Sequence, residues 1–502
     1  MKKKCIALVC AAALALSLTA CGTVGQPGAA DTDTNTNAVQ AVGAEVSLEG
    51  ATTLTFTGSG VAASDGDYTG YEIDGTALTI DGAGTYILTG TCGNGSVTVK
   101  KGTTGVTLVL NGLDLTSADT APITCNKSTE VTIYAAPGSV NVLTDSVENN
   151  DESYPDNENA ENAVIKCKDG SRVTLCGTGS LTVNANGKNG IKSGASTAEE
   201  GEASLTIREL ALTIDAPVND AVNAEQLLTI ESGTLTISAG DDALHCDLAL
   251  NIGANGTAGP TITTTDCCEG IEGATLNIYS GDIAINATDD CLNAANSDLS
   301  GYDFSINISG GTITAYTSGG DGFDSNGDLN ISGGTVAVWS ASSADNQPLD
   351  ADGAIRITGG TVLAAGGSTG MGMSLTAEQP CVVFSFGGAG GFGGNSGSSL
   401  TKGSAFTIGI GSGSSTVYSG EALCNAGFVF FSSSDLTADS SYDLAAGGST
   451  LAAAAAQTGS VQIGMGGMGS MGGQPGQMPG GSFDPGSAPT PPSGDFRPGN
   501  KQ

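Results

Sequence analysis

The sequence predicts an all-β chain built as a parallel β-helix, a solenoid of stacked strands, and three observations carry that prediction. One unit recurs between residues 187 and 366: a short strand, a Gly-rich turn, a β-branched strand, an acidic corner and an apolar-polar-small triplet. Helical patterning is almost absent, while 78 glycines and many Thr, Val and Ile residues favour turns and strands. A propeller or a sandwich would need antiparallel hairpins, yet tight Asn-Gly and Asp-Gly turns do not recur at strand-to-strand spacing.

Taken from the N-terminus, Lys2, Lys3 and Lys4 precede an apolar stretch from Cys5 to Leu16. Its shortness marks residues 1–20 as a signal peptide rather than a membrane span. The following Leu18-Thr19-Ala20-Cys21 resembles the lipobox of bacterial lipoproteins. That resemblance implies lipidation at Cys21 and an extracytoplasmic protein held at the bacterial membrane only by its lipid. An ordinary secretory site with an unrelated cysteine is the alternative. Residues 21–44 read as a flexible polar linker. Their Asp31-Thr32-Asp33 start imitates a calcium loop, but Thr36 stands where that loop needs glycine and Val42 where it needs glutamate.

Removing residues 1–20 takes away three lysines, leaving 13 basic against 52 acidic side chains and a formal charge of −39. Such a surface argues against nucleic acid and anionic membrane as partners and favours cations. Loss of Cys5 and Cys10 and lipidation of Cys21 would leave ten of the 13 cysteines. Their spacing shows no small disulfide framework, and a domain of this length needs none. The single His245 rules out most histidine-rich zinc sites and any serine triad lacking it.

Residues 45–380 form the predicted solenoid, with Val106–Leu110 as an early strand. Ser309-Gly310-Gly311-Thr312-Ile313, Ser332-Gly333-Gly334-Thr335-Val336 and Thr358-Gly359-Gly360-Thr361-Val362 are the clearest turn-and-strand copies. The triplets align as a column: Ile123-Thr124-Cys125, Ile165-Lys166-Cys167, Ile191-Lys192-Ser193, Val222-Asn223-Ala224, Leu244-His245-Cys246, Ile271-Glu272-Gly273, Leu292-Asn293-Ala294, Phe323-Asp324-Ser325 and Leu349-Asp350-Ala351. Alternation of apolar, polar and small residues is the period of a strand with one buried face. From Lys192 onward the middle residues lie 31, 22, 27, 21, 31 and 26 positions apart, and the shortest interval suits one coil of three short strands. Cys125, Cys167 and Cys246 fall in the small inward slot.

An acid stands two residues before the apolar member of five triplets: Asp220, Asp242, Glu269, Asp290 and Asp321. The outward triplet position adds Glu272, Asp324 and Asp350, with Asn223, His245 and Asn293 between them. Carboxylates stacked ~4.8 Å apart repel by ~1 kcal/mol per pair in water and by ~3–4 kcal/mol at an effective dielectric of 20. Calcium, which accepts six to eight oxygen ligands, is the expected counter-charge, with those eight acids as its ligands. A ladder of Asp and Asn side chains bonding their own turns is the alternative. Tyr316 and Trp339 should lie one coil apart on an exposed face, where aromatic rings suit the apolar face of a sugar. An aromatic ladder covering a strand face is the other reading. Residues Asp145–Glu161 hold seven acids in seventeen positions and read as a mobile surface loop.

Residues 381–452, rich in phenylalanine, are expected to close the stack as a β-rich cap. Residues 453–502, rich in Gly, Met, Pro and Gln, are expected to be disordered.

The Asn-Gly-Ile-Lys, Asp-Asp-x-Leu-x-Cys/Ala and Ser-Gly-Gly-Thr-x-x-Val units, following Val106-Thr107-Leu108-Val109-Leu110-Asn111-Gly112, resemble a bacterial carbohydrate-binding β-helix family first defined in a cellulose-degrading clostridium. The resemblance covers roughly residues 50 to 375. It implies a right-handed helix, calcium between coils, and a polysaccharide partner, cellulose-like or pectic, from plant material or the cell's own wall. It also implies a monomer acting as a binding module rather than an enzyme. That family is similar in shape to calcium-dependent pectate lyases, so a lyase is one alternative, with Lys192 or Lys188 as base. The neighbouring acids would raise a lysine pKa, the wrong direction for a base. A structural stalk or adhesin is the other alternative.

Overall fold

Strands account for all the regular secondary structure of the described residues, which contain no helix. The structure is a computed structural model, and it describes residues 46–64, 69–341, 346–367, 372–386, 400–410 and 415–464. The expected signal peptide and linker, with Cys21, lie outside those residues, as do positions 465–502 of the expected tail.

The alternation that predicts each strand also orients it. In Ala211–Ala216 every second side chain is buried, and the same holds for Asp282–Ala287 and Thr312–Thr317. Parallel pairing then joins these strands into three ladders. The first contains the triplets, running from Ile123–Cys125 through Ala163–Cys167, Asn189–Ser193 and Val222–Ala224 to Phe323–Ser325. The second runs from Glu130–Ala135 through Arg172–Cys176 and Ser204–Ile207 to Ile355–Ile357. The third runs from Val140–Thr144 through Ser180–Asn184 and Ala211–Ala216 to Thr361–Gly366. The chain visits the ladders in rotation, so most strands pair with the third one along.

One apolar cluster extends from Leu54 to Ile463 along the inner faces. Fully burying each Val, Leu or Ile is worth about 1.5–3 kcal/mol, which makes this continuous core the main stabilising element. Cys125, Cys167 and Cys246 sit in it at 0% exposure, and the ten described cysteines are all free thiols. Between the second and third ladders the Gly-Gly turns stack on one another. Gly334 has a φ of +85°, and a Cβ there would come within 2.8 Å of the Gly311 carbonyl oxygen. Only glycine suits both the conformation and the approach.

Two antiparallel hairpins, Thr52–Thr57 with Gly60–Ala63 and Tyr71–Asp74 with Ala77–Ile80, precede the parallel ladders. At the other end, Phe428–Ser432 pairs antiparallel with both Thr361–Gly366 and Met373–Ser385. A separate four-stranded antiparallel sheet contains Ser415–Glu421, Ala405–Ile410, Ser441–Ala446 and Ser449–Ala455.

Two expectations need correction here. Strand structure does not stop at 452, because Gln457–Ile463 pairs with Met373–Ser385 and buries Val461 and Ile463. The segment Asp145–Glu161 is pinned rather than loose. Asp145 accepts the Asn186 and Gly187 amides at 2.6 and 3.1 Å, and Asn149 and Asn150 donate to the Ala163 and Gly187 carbonyls at 2.9 Å each. Buried polar side chains satisfied in this way hold a loop in place.

Candidate functional site

The first ladder brings the predicted corner together. Register pairs Lys166 with Lys192, Lys192 with Asn223, Asn223 with His245, His245 with Glu272, Glu272 with Asn293 and Asn293 with Asp324. The bridge between Phe323 and Leu349 continues the ladder to the triplet of Asp350. This outward column therefore begins basic, passes through His245, and ends acidic.

Around the corner runs a second column: Asn189, Asp220, Asp242, Glu269, Asp290, Asp321 and Gln347. Its backbone is stitched one strand to the next. Gly190, Ala221, Ala243, Gly270, Cys291 and Gly322 each donate an amide to the carbonyl of the following column member. Asn189 and Gln347 were missed by the sequence reading, although both occupy the position two before an apolar triplet residue. Both are uncharged, so a pattern defined by carboxylates does not pick them out.

Three carboxylates also bond the next corner's backbone. The amides of Asp242, Asp321 and Gln347 donate to Asp220, Asp290 and Asp321 respectively. Turn bonding thus engages part of the ladder but leaves oxygens over. Asn223 donates to Asp220 at 2.6 Å, and Asn293 donates to Glu269 at 3.0 Å.

The eight predicted metal ligands divide into two groups by their partners. Asp242 and Glu272 share His245, which lies 2.9 Å from each, and Asp220, held by Asn223 much as Glu269 is by Asn293, feels the same ring's charge. Glu269, Asp290, Asp321, Asp324 and Asp350 form no ion pair with a basic side chain among the described residues. Burial, reinforced by neighbouring carboxylates, pushes Glu269, Asp290 and Asp321 each up to about 7 and raises Asp324 as well. The buried Asn293 Oδ1 beside them has no hydrogen-bond partner. Anionic and carbonyl-type oxygens beside an orphaned acceptor are the donors a hard cation takes, although among the described residues the three titratable side chains whose ligand atoms converge within 4.8 Å are Asp242, His245 and Glu272.

At His245, burial opposes the charged ring, but Asp242, Asp247 and Glu272 more than offset it and hold its pKa above the usual value. Burial drives Asp242 up to about 8, whereas hydrogen bonds from His245 and Asp242 keep Glu272 low against its own desolvation.

Of the lysines suggested as bases, Lys188 pairs with Glu152, and Lys192 lies 3.6 Å from Glu225. Lys166, the register partner of Lys192, shows the feature a base needs. Burial, with Lys192 adjacent, lowers its pKa. It lines a recess of about 310 Å³ with Lys127, Lys168, Glu161, Asp169 and Glu225. The sequence placed Lys166 in the column, but its burial depends on the neighbouring strands and was not legible.

The expected exposed aromatic pair is corrected. Tyr316 and Trp339 are register partners as predicted, but Trp339 is 2% exposed. Its indole meets the Phe406 ring edge-on at 5.9 Å, beneath the four-stranded sheet, and Lys402 Nζ lies 5.1 Å from the Tyr316 ring centre. A covered ring offers no face to a sugar.

Residues 74–251 match the model of a family described as carbohydrate-binding domain-containing protein. A curated relative of that description from Acetivibrio thermocellus is 37% identical over 123 residues, 24% of this chain and 42% of the relative. The chain thus spans less than half the length of that relative. Among solved structures, a polysaccharide lyase-like protein from C. thermocellum, determined as a gadolinium derivative, aligns at 23% identity. The alignment covers 62% of this chain and 93% of that one, with a TM-score of 0.32.

Proposed function

We propose that this chain binds polysaccharide as a calcium-loaded, right-handed parallel β-helix, held at the outer face of a bacterial membrane through a lipid on Cys21. Support for the carbohydrate partner comes from the family match over residues 74–251. Three parallel ladders visited in rotation support the helical winding. The observation that carries the calcium reading is the set of half-buried acids Glu269, Asp290, Asp321, Asp324 and Asp350, which lack a basic partner among the described residues.

Acids on neighbouring strands, such as Asp290 with Asp321 and Asp324, would hold calcium between them, with Asn293 Oδ1 as a further acceptor. Calcium supplies positive charge that relieves carboxylate repulsion and can bridge to an anionic sugar. An acidic protein facing a uronate polymer needs such a bridge, since direct contact would set like charges together. The test is retention of the metal-stripped full chain on polygalacturonate, cellulose and a neutral glycan, with and without calcium. Calcium-dependent retention supports the reading. Retention on none of them would leave a structural stalk or adhesin.

The lyase reading keeps one specific support, the lowered pKa of Lys166. A base there would accept the proton beside a uronate carboxylate, and unsaturated product would appear as ultraviolet absorbance. Loss of that product in Lys166→Met but not in Lys188→Met would establish the enzyme.

A further inference from the structure

One point on the acid face is chemically unlike the rest. The ligand atoms of Asp242, His245 and Glu272 lie within 4.8 Å of one another. His245 and Glu272 are register partners on adjacent strands, and Asp242 reaches the same place from the corner three residues before His245. Asp242 Oδ2 and Glu272 Oε2 each lie 2.9 Å from His245 Nδ1, while Asp247 Oδ1 lies 2.9 Å from Nε2.

This arrangement gives one ring nitrogen two carboxylates. Nδ1 carries at most one proton, so it cannot donate fully to both. A cation seated among the three groups would engage all of them at once. Asp247 on the far nitrogen matches the outer carboxylate that commonly orients a metal-bound imidazole. Calcium prefers oxygen alone, whereas an imidazole with two carboxylates suits borderline divalent ions of the zinc and cobalt class. Asp242 is 6% exposed, so the site is built into the wall rather than assembled from mobile surface chains.

We infer that Asp242, His245 and Glu272 form a binding site for one divalent transition cation, with Asp247 as the positioning residue that orients the ring. The site rests on its own ligand geometry and does not depend on calcium at the later corners.

The test is equilibrium dialysis of the metal-stripped full chain against Zn²⁺ and, separately, Co²⁺, followed by X-ray absorption of the zinc-loaded native chain. One ion per chain is expected, with a nitrogen in its inner shell. His245→Gln should abolish that uptake, and Asp247→Asn should weaken it about 10- to 100-fold. Calcium uptake should persist in both. Circular dichroism of each variant identifies misfolding, and the native-chain absorption result stands whatever the variants do. An all-oxygen shell, or zinc uptake unchanged in a folded His245→Gln, overturns the inference. Absence of calcium uptake in a native chain that still binds zinc through nitrogen would overturn the calcium reading instead.

Discussion

Tyr316 and Trp339 are side-by-side partners on adjacent parallel strands, yet Trp339 is 2% exposed while Tyr316 remains partly open beside Lys402. The indole belongs to a second apolar cluster with Phe384, Phe406, Val429 and Phe431. Trp339→Ala should therefore act on stability, costing about 3–5 kcal/mol in denaturant unfolding. Glycan retention by the folded fraction should be unchanged. A large loss of retention without loss of stability would show that the ring is used in binding.

The acid corners make a prediction about pH. Glu269, Asp290 and Asp321 have folded pKa values near 7, above the ~4 of unfolded carboxyls. Between those limits the folded chain binds more protons, so stability falls as pH rises from about 4 to 7. The metal-stripped chain should melt at a higher temperature at pH 5 than at pH 8. Added calcium should flatten that difference, and calorimetry across the range checks both.

The small residue between each acid and its triplet should be sensitive to size. A Cβ on Gly322 would come within 2.2 Å of Val338 Cγ1 and 2.4 Å of the Pro348 carbonyl oxygen. Overpacking of this kind costs about 1–3 kcal/mol. Gly322→Ala should lower the denaturant midpoint accordingly, and because Asp321 and Asp324 flank it, calcium affinity should fall as well.

Truncation offers a fourth measurement. A chain ending at 456 loses Gln457–Ile463 and the buried Val461 and Ile463, whereas one ending at 464 keeps them. The shorter chain should melt several degrees lower. Equal melting temperatures would show that this strand adds nothing to the stability of Met373–Ser385.

The sequence made the triplet register legible because apolar and small residues recur at positions that stack directly. Ile191, Val222, Leu244, Ile271, Leu292 and Phe323 pair in that order. The all-β class followed from the same alternation. The cover on Trp339 was not legible, because Phe406 lies 67 residues further along and nothing local announces the contact. Nor was the convergence on His245, since it depends on how far Asp242, Asp247 and Glu272 reach around a corner. Lys166 was visible in its column, but its lowered pKa is a property of burial that a string of letters does not carry.

The outward column changes sign along its length, from Lys166 and Lys192 through His245 to Asp324 and Asp350. Its steps are therefore not interchangeable. An elongated charged ligand displaced by one strand would meet different electrostatic company at each of its units, so the face has a preferred frame and distinguishable ends. A repetitive architecture thereby acquires an address, much as a graduated scale differs from an unmarked rod.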